Sequence, residues 1–483
     1  MGPMTLTNQP TTTCAGSARR LRLIFLVLLA AHLSGCSPVA DSPDSVSAAL
    51  ANARHKHLKF ANAQGPLSNA QGRVLIARLG KTSGKTDILQ RHLVFEQAIT
   101  GSSLIVGNKV TLLENGADTY RAMFSAIESA DNNINLESYE FLDDPIGQEF
   151  ADALIAKQRA GVQVNVIYDS FGSWSTPAVF FQRMRDNGIR VLQFDPLSPA
   201  ARRFHWATAH RDHRKLMIID GRTAILGGIN LSDVYSSSPS SESTKKERNK
   251  AQADLGSWRD TDIEIEGPAV AECQKLFIEH WISQQGRPLS PRRYFAPLSQ
   301  QGNDIVRIIG FTPGELSLIY VNLISAINNA ETNVYITDAF FAPDDKMLDA
   351  MESAARRGVD VKLLVPGANT SSLVEAAGRS HYLNLLNAGV KVYEWRGNML
   401  HAKTATVDHV WSTVGSSNLD WWSIARNDEV NATILNTGFG QEMDRMFDRD
   451  LQNATEIDPE QWKSRSILER SYESFARMIQ PML

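Results

Sequence analysis

Two pseudo-symmetric α/β lobes, each a mixed sheet flanked by helices, are what the sequence predicts, and three observations predict them. The chain repeats itself. Each half alternates short apolar strands with helical stretches. A polar pattern of matched spacing occurs once in each half. The repeat is direct. AIESADNNINLESYEF from Ala126 matches AINNAETNVYITDAFF from Ala326, AGVQVNVIYD from Ala160 matches RGVDVKLLVPG from Arg357, and NGIRVLQFD from Asn187 matches AGVKVYEW from Ala388. Each pair reads as a helix end followed by a buried strand. Between the strands, IGQEFADALIAKQRAG and DDKMLDAMESAARRG read as helices, and strands alternating with helices imply a covered sheet.

These signals set the domain boundaries. Residues 86–285 form the first lobe and 304–483 the second, joined by a Pro- and Arg-containing link at 286–303. Residues 36–85 read as a tether and N-terminal extension, rich at first in Ala, Ser, Asn and Asp. Ser236 to Gly256 lacks apolar periodicity and reads as a surface insertion, with a loop over the site entrance as the alternative. Trp174, Trp395 and Trp411 are assigned to the core.

Hydrophobic content of 43% and charged content of 21% fit a globular protein. The formal net charge of -4 lacks the basic footprint of a nucleic-acid binder, so no nucleic-acid partner is expected. The three cysteines, Cys14, Cys36 and Cys273, give neither a disulfide framework nor a zinc cluster. Cys273 lies in AVAECQKLFIEHW, at helical apolar spacing, and is assigned to the core.

The N-terminal segment reads as an export signal. Arg19, Arg20 and Arg22 precede the apolar run Leu23 to Leu33, which is too short to span a bilayer. Leu33-Ser34-Gly35-Cys36 resembles a bacterial lipobox, which implies cleavage of residues 1–35 and acylation of Cys36. The expectation is a lipid-anchored protein of the bacterial cell envelope facing the periplasm. Ser37, rather than Asp, after the cysteine favours the outer membrane by the same resemblance.

The chemistry sits in the repeated polar pattern. The first half reads His213-Arg214-Lys215-Leu216-Met217-Ile218-Ile219-Asp220, and the second His401-Ala402-Lys403-Thr404-Ala405-Thr406-Val407-Asp408. Both fit H-x-K-x4-D. Both continue to Gly227-Gly228-Ile229-Asn230 or Gly415-Ser416-Ser417-Asn418, at identical spacing from the histidine. Leu216 to Ile219 reads as a strand, Asp220-Gly221 as a turn and Thr223 to Leu226 as the returning strand. On a strand His213 and Lys215 share a face, roughly 6 to 7 Å apart. The asparagine returns on the same hairpin, and Gly228 and Ser416 are assigned to leave room for a phosphoryl oxygen. Each half thus offers an imidazole, an ammonium and an amide to one anion. One such motif carries little weight alone; two with matched tails inside a repeat are not coincidence.

The pair resembles the phospholipase D superfamily, most of all the bacterial cardiolipin synthases, over nearly everything from Arg91 onward. GNKVTLLENG at Gly107, RDHRKLMIIDG at Arg211, WRDTDIEIEGPAV at Trp258 and GSSNLDWWSIARNDEVN at Gly415 carry the resemblance. Trp421-Trp422, where smaller or basic residues are common, and Asp262, where a histidine or another residue is expected, depart from it. The resemblance implies an active site at the lobe interface and two steps of chemistry. One histidine forms a covalent phosphohistidine while the other protonates the leaving alcohol and then deprotonates the incoming one. Family habit makes His213 the nucleophile and His401 the acid. Lys215, Lys403, Asn230 and Asn418 would stabilise the phosphoryl oxygens. Asp220 and Asp408, part of the motif, are expected to hold the local structure. Glu429 and Asp260 are the candidate carboxylates that orient the histidines.

No metal and no cofactor are implied; His205, His210 and His213 match no common zinc spacing. His205 and Trp206 are assigned to the pocket lining or a lipid contact. The expected reaction is phosphatidyl transfer between phospholipids, with hydrolysis to phosphatidic acid as the alternative. A nuclease and a silent lipid-binding scaffold are less favoured. Phospholipids are the expected substrates, the membrane is the expected partner, and oligomeric state is left open.

Overall fold

Wherever apolar residues alternate or run together in the two repeats, the chain extends, and the extended segments pair in the same order twice. In the first half, Asn133–Ser138, Gln163–Asp169 and Arg190–Phe194 run parallel, with Lys215–Ile219 antiparallel to Asn133–Ser138. In the second, Asn333–Thr337, Asp360–Pro366 and Lys391–Trp395 run parallel, with Thr404–Val407 antiparallel to Asn333–Thr337. Each half then continues through a hairpin strand, Thr223–Gly227 or Trp411–Gly415, to a further strand, Thr261–Glu266 or Asn427–Leu435. This computed structural model describes residues 58–84, 86–196, 210–236, 257–314, 316–367, 369–396 and 399–482.

The helices repeat too, for the same local reasons. Pro145–Arg159 starts at Asp144, whose carboxylate accepts the Gly147 N–H, and Pro145 occupies a first-turn position where its missing N–H costs nothing. Asp345–Arg356 starts at Asp344, which accepts the Met347 N–H. Both helices bury an apolar face against the parallel strands, with Phe150 and Leu154 in one core and Met347 and Met351 in the other.

The two sheets are fused. Leu104–Glu114 pairs antiparallel with Thr261–Glu266 on one side and with Asp304–Phe311 on the other, and Asp304–Phe311 pairs with Asn427–Leu435. The lobes therefore lie within one compact unit, Ala53–Leu483. The segment read as a link lies along the first lobe. Arg292 donates to the Gly161 carbonyl, and the Arg293 carbonyl accepts from the Asn133 amide.

The N-terminal extension, expected as a tether, is folded from residue 58 onward. Phe60–Asn62 adds a parallel strand to Leu104–Glu114, and Asn69–Ser83 is a helix opened by a Ser68/Gln71 capping box. Gly72 gives the Phe60 ring its place, since a Cβ there would lie 2.8 Å from it. Leu58, Leu75, Ile76 and Leu79 add to the core of the second half. Cys273, Trp395 and Trp411 are buried as expected, but Trp174 is 57% exposed and belongs to no core. The leader with Cys14 and Cys36, the pair His205 and Trp206, and the insertion up to Gly256 from residue 237 lie outside the described residues.

Candidate active site

The two hairpins deliver the motif as the strand pattern requires. Lys215 and Thr404 open their strands, with His213 and His401 just ahead of them. Each ammonium reaches back to the carbonyl of its own histidine: Lys215 Nζ donates to His213 O at 2.6 Å, and Lys403 repeats the bond to His401. Asp220 and Asp408 occupy the turns in left-handed conformation, at φ +55° and +51°. Asp220 accepts the N–H groups of Asp131, Asn132 and Asn133, and Asp408 those of Glu331, Thr332 and Asn333. The motif aspartates thus brace the turn that precedes the neighbouring strand.

The two halves exchange partners at the histidines. His213 Nδ1 donates to both oxygens of Glu429, at 3.0 and 3.1 Å, and His401 Nδ1 donates to Asp260 Oδ2 at 2.7 Å. Glu429 belongs to the second half and Asp260 to the first, so each histidine is oriented by the opposite lobe. The backbone follows the same crossing. His213 N–H donates to Asp428 O at 2.9 Å, and His401 N–H donates to Arg259 O at 2.7 Å. With Nδ1 committed, Nε2 is the working atom of both rings.

Gly228 and Ser416 serve those carboxylates, which corrects the expectation that they make room for a phosphoryl oxygen. A Cβ at Gly228 would lie 2.2 Å from Asp260 Oδ1, so the missing side chain makes room for the carboxylate. Ser416 Oγ donates to Glu429 Oε2 at 2.5 Å. The asparagines also differ. Asn230 trades hydrogen bonds with Glu140, accepting its N–H at 3.2 Å and donating to its carboxylate at 3.4 Å, and lies 3.2 Å from the Tyr235 hydroxyl. Asn418 Oδ1 is buried and has no partner among the described residues.

Burial sets the electrostatics. It lowers His213, with Glu429 opposing and Lys215 adding to the fall. Burial and then Lys403 push His401 down to about 3, against the pull of Asp260. Lys215 is brought down to about 8 by burial, with Glu429 opposing and Lys403 assisting. Burial and the two neighbouring ammoniums thus favour the neutral form of both imidazoles. A phosphodiester supplies the negative charge that relieves this and lets one imidazole carry a proton.

Three further carboxyls surround the centre. Burial lifts Glu140 to about 7, and burial with Asp260 lifts Asp262 to about 8. Asp262, one of the departures from the family resemblance, accepts the Ile229 N–H at 3.1 Å. Asp338 accepts from Leu419 N–H and Phe340 N–H and is driven well up by burial and Asp420. Beneath His213, Glu137, Asp212 and His280 bring three ligand-type atoms together, and Arg214, 3.6 Å from Glu137, provides a positive charge there. His210 is tied to Asp428 at 2.6 Å and His213 to Glu429 at 3.0 Å.

Comparison with known proteins gives the family. The family model for the cardiolipin synthase, PLD-like domain, matches residues 123–242 and 323–451, one match for each half. The chain belongs to the PLD-like cardiolipin synthase family. The cardiolipin synthase of Alkalihalophilus pseudofirmus is 32% identical over 411 residues, covering 84% of this chain and 78% of that protein. That of a Geobacillus strain, WCH70, is 33% identical over 386 residues, covering 79% and 74%. Among solved structures, a phosphatidylserine synthase from Haemophilus influenzae shares the fold at a TM-score of 0.58 and 14% identity, covering 77% of this chain and 95% of that one.

Within this family's site, three residues escaped the sequence reading. Tyr235, whose hydroxyl lies 3.2 Å from His401 Nδ1, follows Asn230 by five positions and has no tyrosine at the matching place in the second half. Tyr139 sets its ring edge-on to His213 at 5.0 Å between centroids, and Glu140 follows it. Their signal was position: both leave the strand that pairs with Lys215–Ile219.

Proposed function

We propose that this protein transfers a phosphatidyl group from one phospholipid to the hydroxyl of another, through a covalent phosphohistidine. The observation that carries the proposal is the crossed pair of histidine–carboxylate bonds. It ties both imidazoles, each with its motif lysine bonded beside it, to carboxylates of the opposite half, in a chain whose relatives are cardiolipin synthases by name.

In the first step His213 Nε2 attacks phosphorus and the bond to the leaving alcohol oxygen breaks. His401, protonated with the substrate in place, gives its proton to that oxygen. In the second step the acceptor hydroxyl gives its proton to His401 while its oxygen attacks phosphorus. The phosphorus–nitrogen bond breaks and His213 is restored. Lys215, Lys403 and Asn418 stabilise the equatorial oxygens, while Glu429 and Asp260 hold the two rings. Asp220 and Asp408 act only by holding the hairpins.

The test supplies purified protein with labelled phosphatidylglycerol, alone and with phosphatidylethanolamine. Labelled cardiolipin is the expected product. Phosphatidic acid alone would replace transfer with hydrolysis, and cleavage of DNA with lipids left intact would end the lipid reading.

The proposal includes an envelope location, with Cys36 acylated and the enzyme held on the periplasmic side, at the outer membrane. The Arg-rich start, the short apolar run and Leu33-Ser34-Gly35-Cys36 support it. Incorporation of labelled fatty acid, lost in Cys36→Ser, is the expected result; equal labelling of both would contradict it.

A further inference from the structure

The last long helix of the chain, Ile467–Ile479, is turned inside out. The side it lays on the protein carries Glu473 and Ala476, 6% and 0% exposed. Ile467, Leu468 and Met478 face solvent at 80%, 83% and 71% exposure, joined by Tyr472 and Phe475. At helical spacing these five side chains fall within one arc of about 140°. The fold does not need them. Glu473 pairs with Arg465, and Ala476 packs among Ala342, Val374, Ala376 and Ala377. An apolar arc of this size on one exposed helix calls for a cover.

We infer that this helix lies flat on an anionic phospholipid bilayer and docks the enzyme on its substrate surface. Three observations select a lipid surface. The first is charge. Arg470 and Arg477 run along one edge of the arc, with Arg477 also 3.8 Å from Asp345. The helix's own acids are turned to other uses, Glu469 in the capping box with Ser466 and Glu473 beneath the helix. An apolar face edged with arginine suits an interface of anionic lipid. The second is length. Thirteen residues cannot span a bilayer, and among the described residues no helix is long and apolar enough to do so.

The third is continuity with the site. Just past the helix, Gln480 donates to the carbonyls of Ala342 and Pro343 at 2.9 and 2.7 Å. Phe340, two residues before Ala342, sets its ring edge-on to His401 at 6.1 Å. The docking helix is thus tied to the wall of the reaction centre. The inference rests on the phospholipid reading for its purpose, while the binding can be measured apart from it.

The test uses the full chain carrying Cys36→Ser, so that no acyl chain at that position contributes. Flotation is measured with vesicles of equal parts phosphatidylglycerol and phosphatidylethanolamine. Leu468→Ser with Phe475→Ser removes only exposed apolar surface, and partitioning is expected to fall roughly tenfold or more. Parental binding is expected to weaken with added salt, through the two arginines. Turnover of a short-chain phosphatidylglycerol dissolved as monomers is expected to stay unchanged. Partitioning equal to the parent would overturn the inference. So would a loss of self-association in the variant with vesicle binding intact, because a second copy would then be the cover. Failure of the phospholipid chemistry would show as both chains inactive on the monomeric lipid, leaving the flotation result readable on its own.

Discussion

Between the motif histidine and lysine, the first half carries Arg214 and the second Ala402, and both positions are buried. Arg214 reaches across the junction to the carbonyls of Glu429 and Phe311 and lies 3.4 Å from Asp428. The second half needs no arginine there because the first supplies one from elsewhere: Arg259 donates through two nitrogens to Asp450, at 2.9 and 2.8 Å. Asp428 and Arg259 hold matching places, each just before the carboxylate that orients a histidine. Each forms a buried ion pair across the junction, with the signs reversed. The repeat thus preserves the positions of the reacting atoms and the existence of a charge clamp, while the residues of the clamp have diverged.

Substitutions can break or sharpen this comparison, and the largest effect is at the shared chemistry. His213→Ala and His401→Ala should each lower kcat/KM by roughly a thousandfold or more, and the double variant should be no worse than the weaker single one. Retention of about half the activity in either single variant would mean two independent sites. Gly228→Ala should come next, at roughly a hundredfold in kcat, because its Cβ would displace the carboxylate that orients His401. The matching removal, Ser416→Gly, deletes one hydrogen bond to Glu429 and should cost roughly tenfold. Equal effects at the two positions would contradict their different roles.

The clamp should show in stability. Arg214→Ala removes the buried guanidinium beside Glu137 and Asp428, leaving only histidine partners for them, and should cost about 3 kcal/mol in denaturant unfolding. The histidines should show in its pH dependence. His401 is held near 3 in the fold against 6.5 for a free imidazole, so the unfolded chain binds the extra proton between those values. Its contribution to stability is therefore present above pH 6.5 and lost as pH falls toward 3. In His401→Gln the unfolding midpoint should fall less steeply over that window.

Much of this was legible in the sequence because it is local. The hairpins were marked by the apolar runs flanking Asp220-Gly221, and the helices by the repeated stretches IGQEFADALIAKQRAG and DDKMLDAMESAARRG. The pairing of Glu429 with His213 and of Asp260 with His401 was not legible, because each joins residues more than a hundred positions apart and spacing carries no register between halves. Gly228 was misread for a related reason: what fills the space beside a glycine depends on the strand packed against it. Glu140 escaped because its repeat counterpart is Phe340, so the duplication pointed to an apolar residue. Trp174 shows the limit of a default, since a lone tryptophan carries no periodicity to say which way it faces.

The crossing of the halves is open to direct observation by proton–nitrogen NMR of the histidine-labelled full chain. The downfield Nδ1 proton of His213 should vanish in Glu429→Gln and persist in Asp260→Asn, with His401 showing the reverse. Loss of the His213 signal in Asp260→Asn instead would place each histidine with its own lobe's carboxylate and contradict the shared centre.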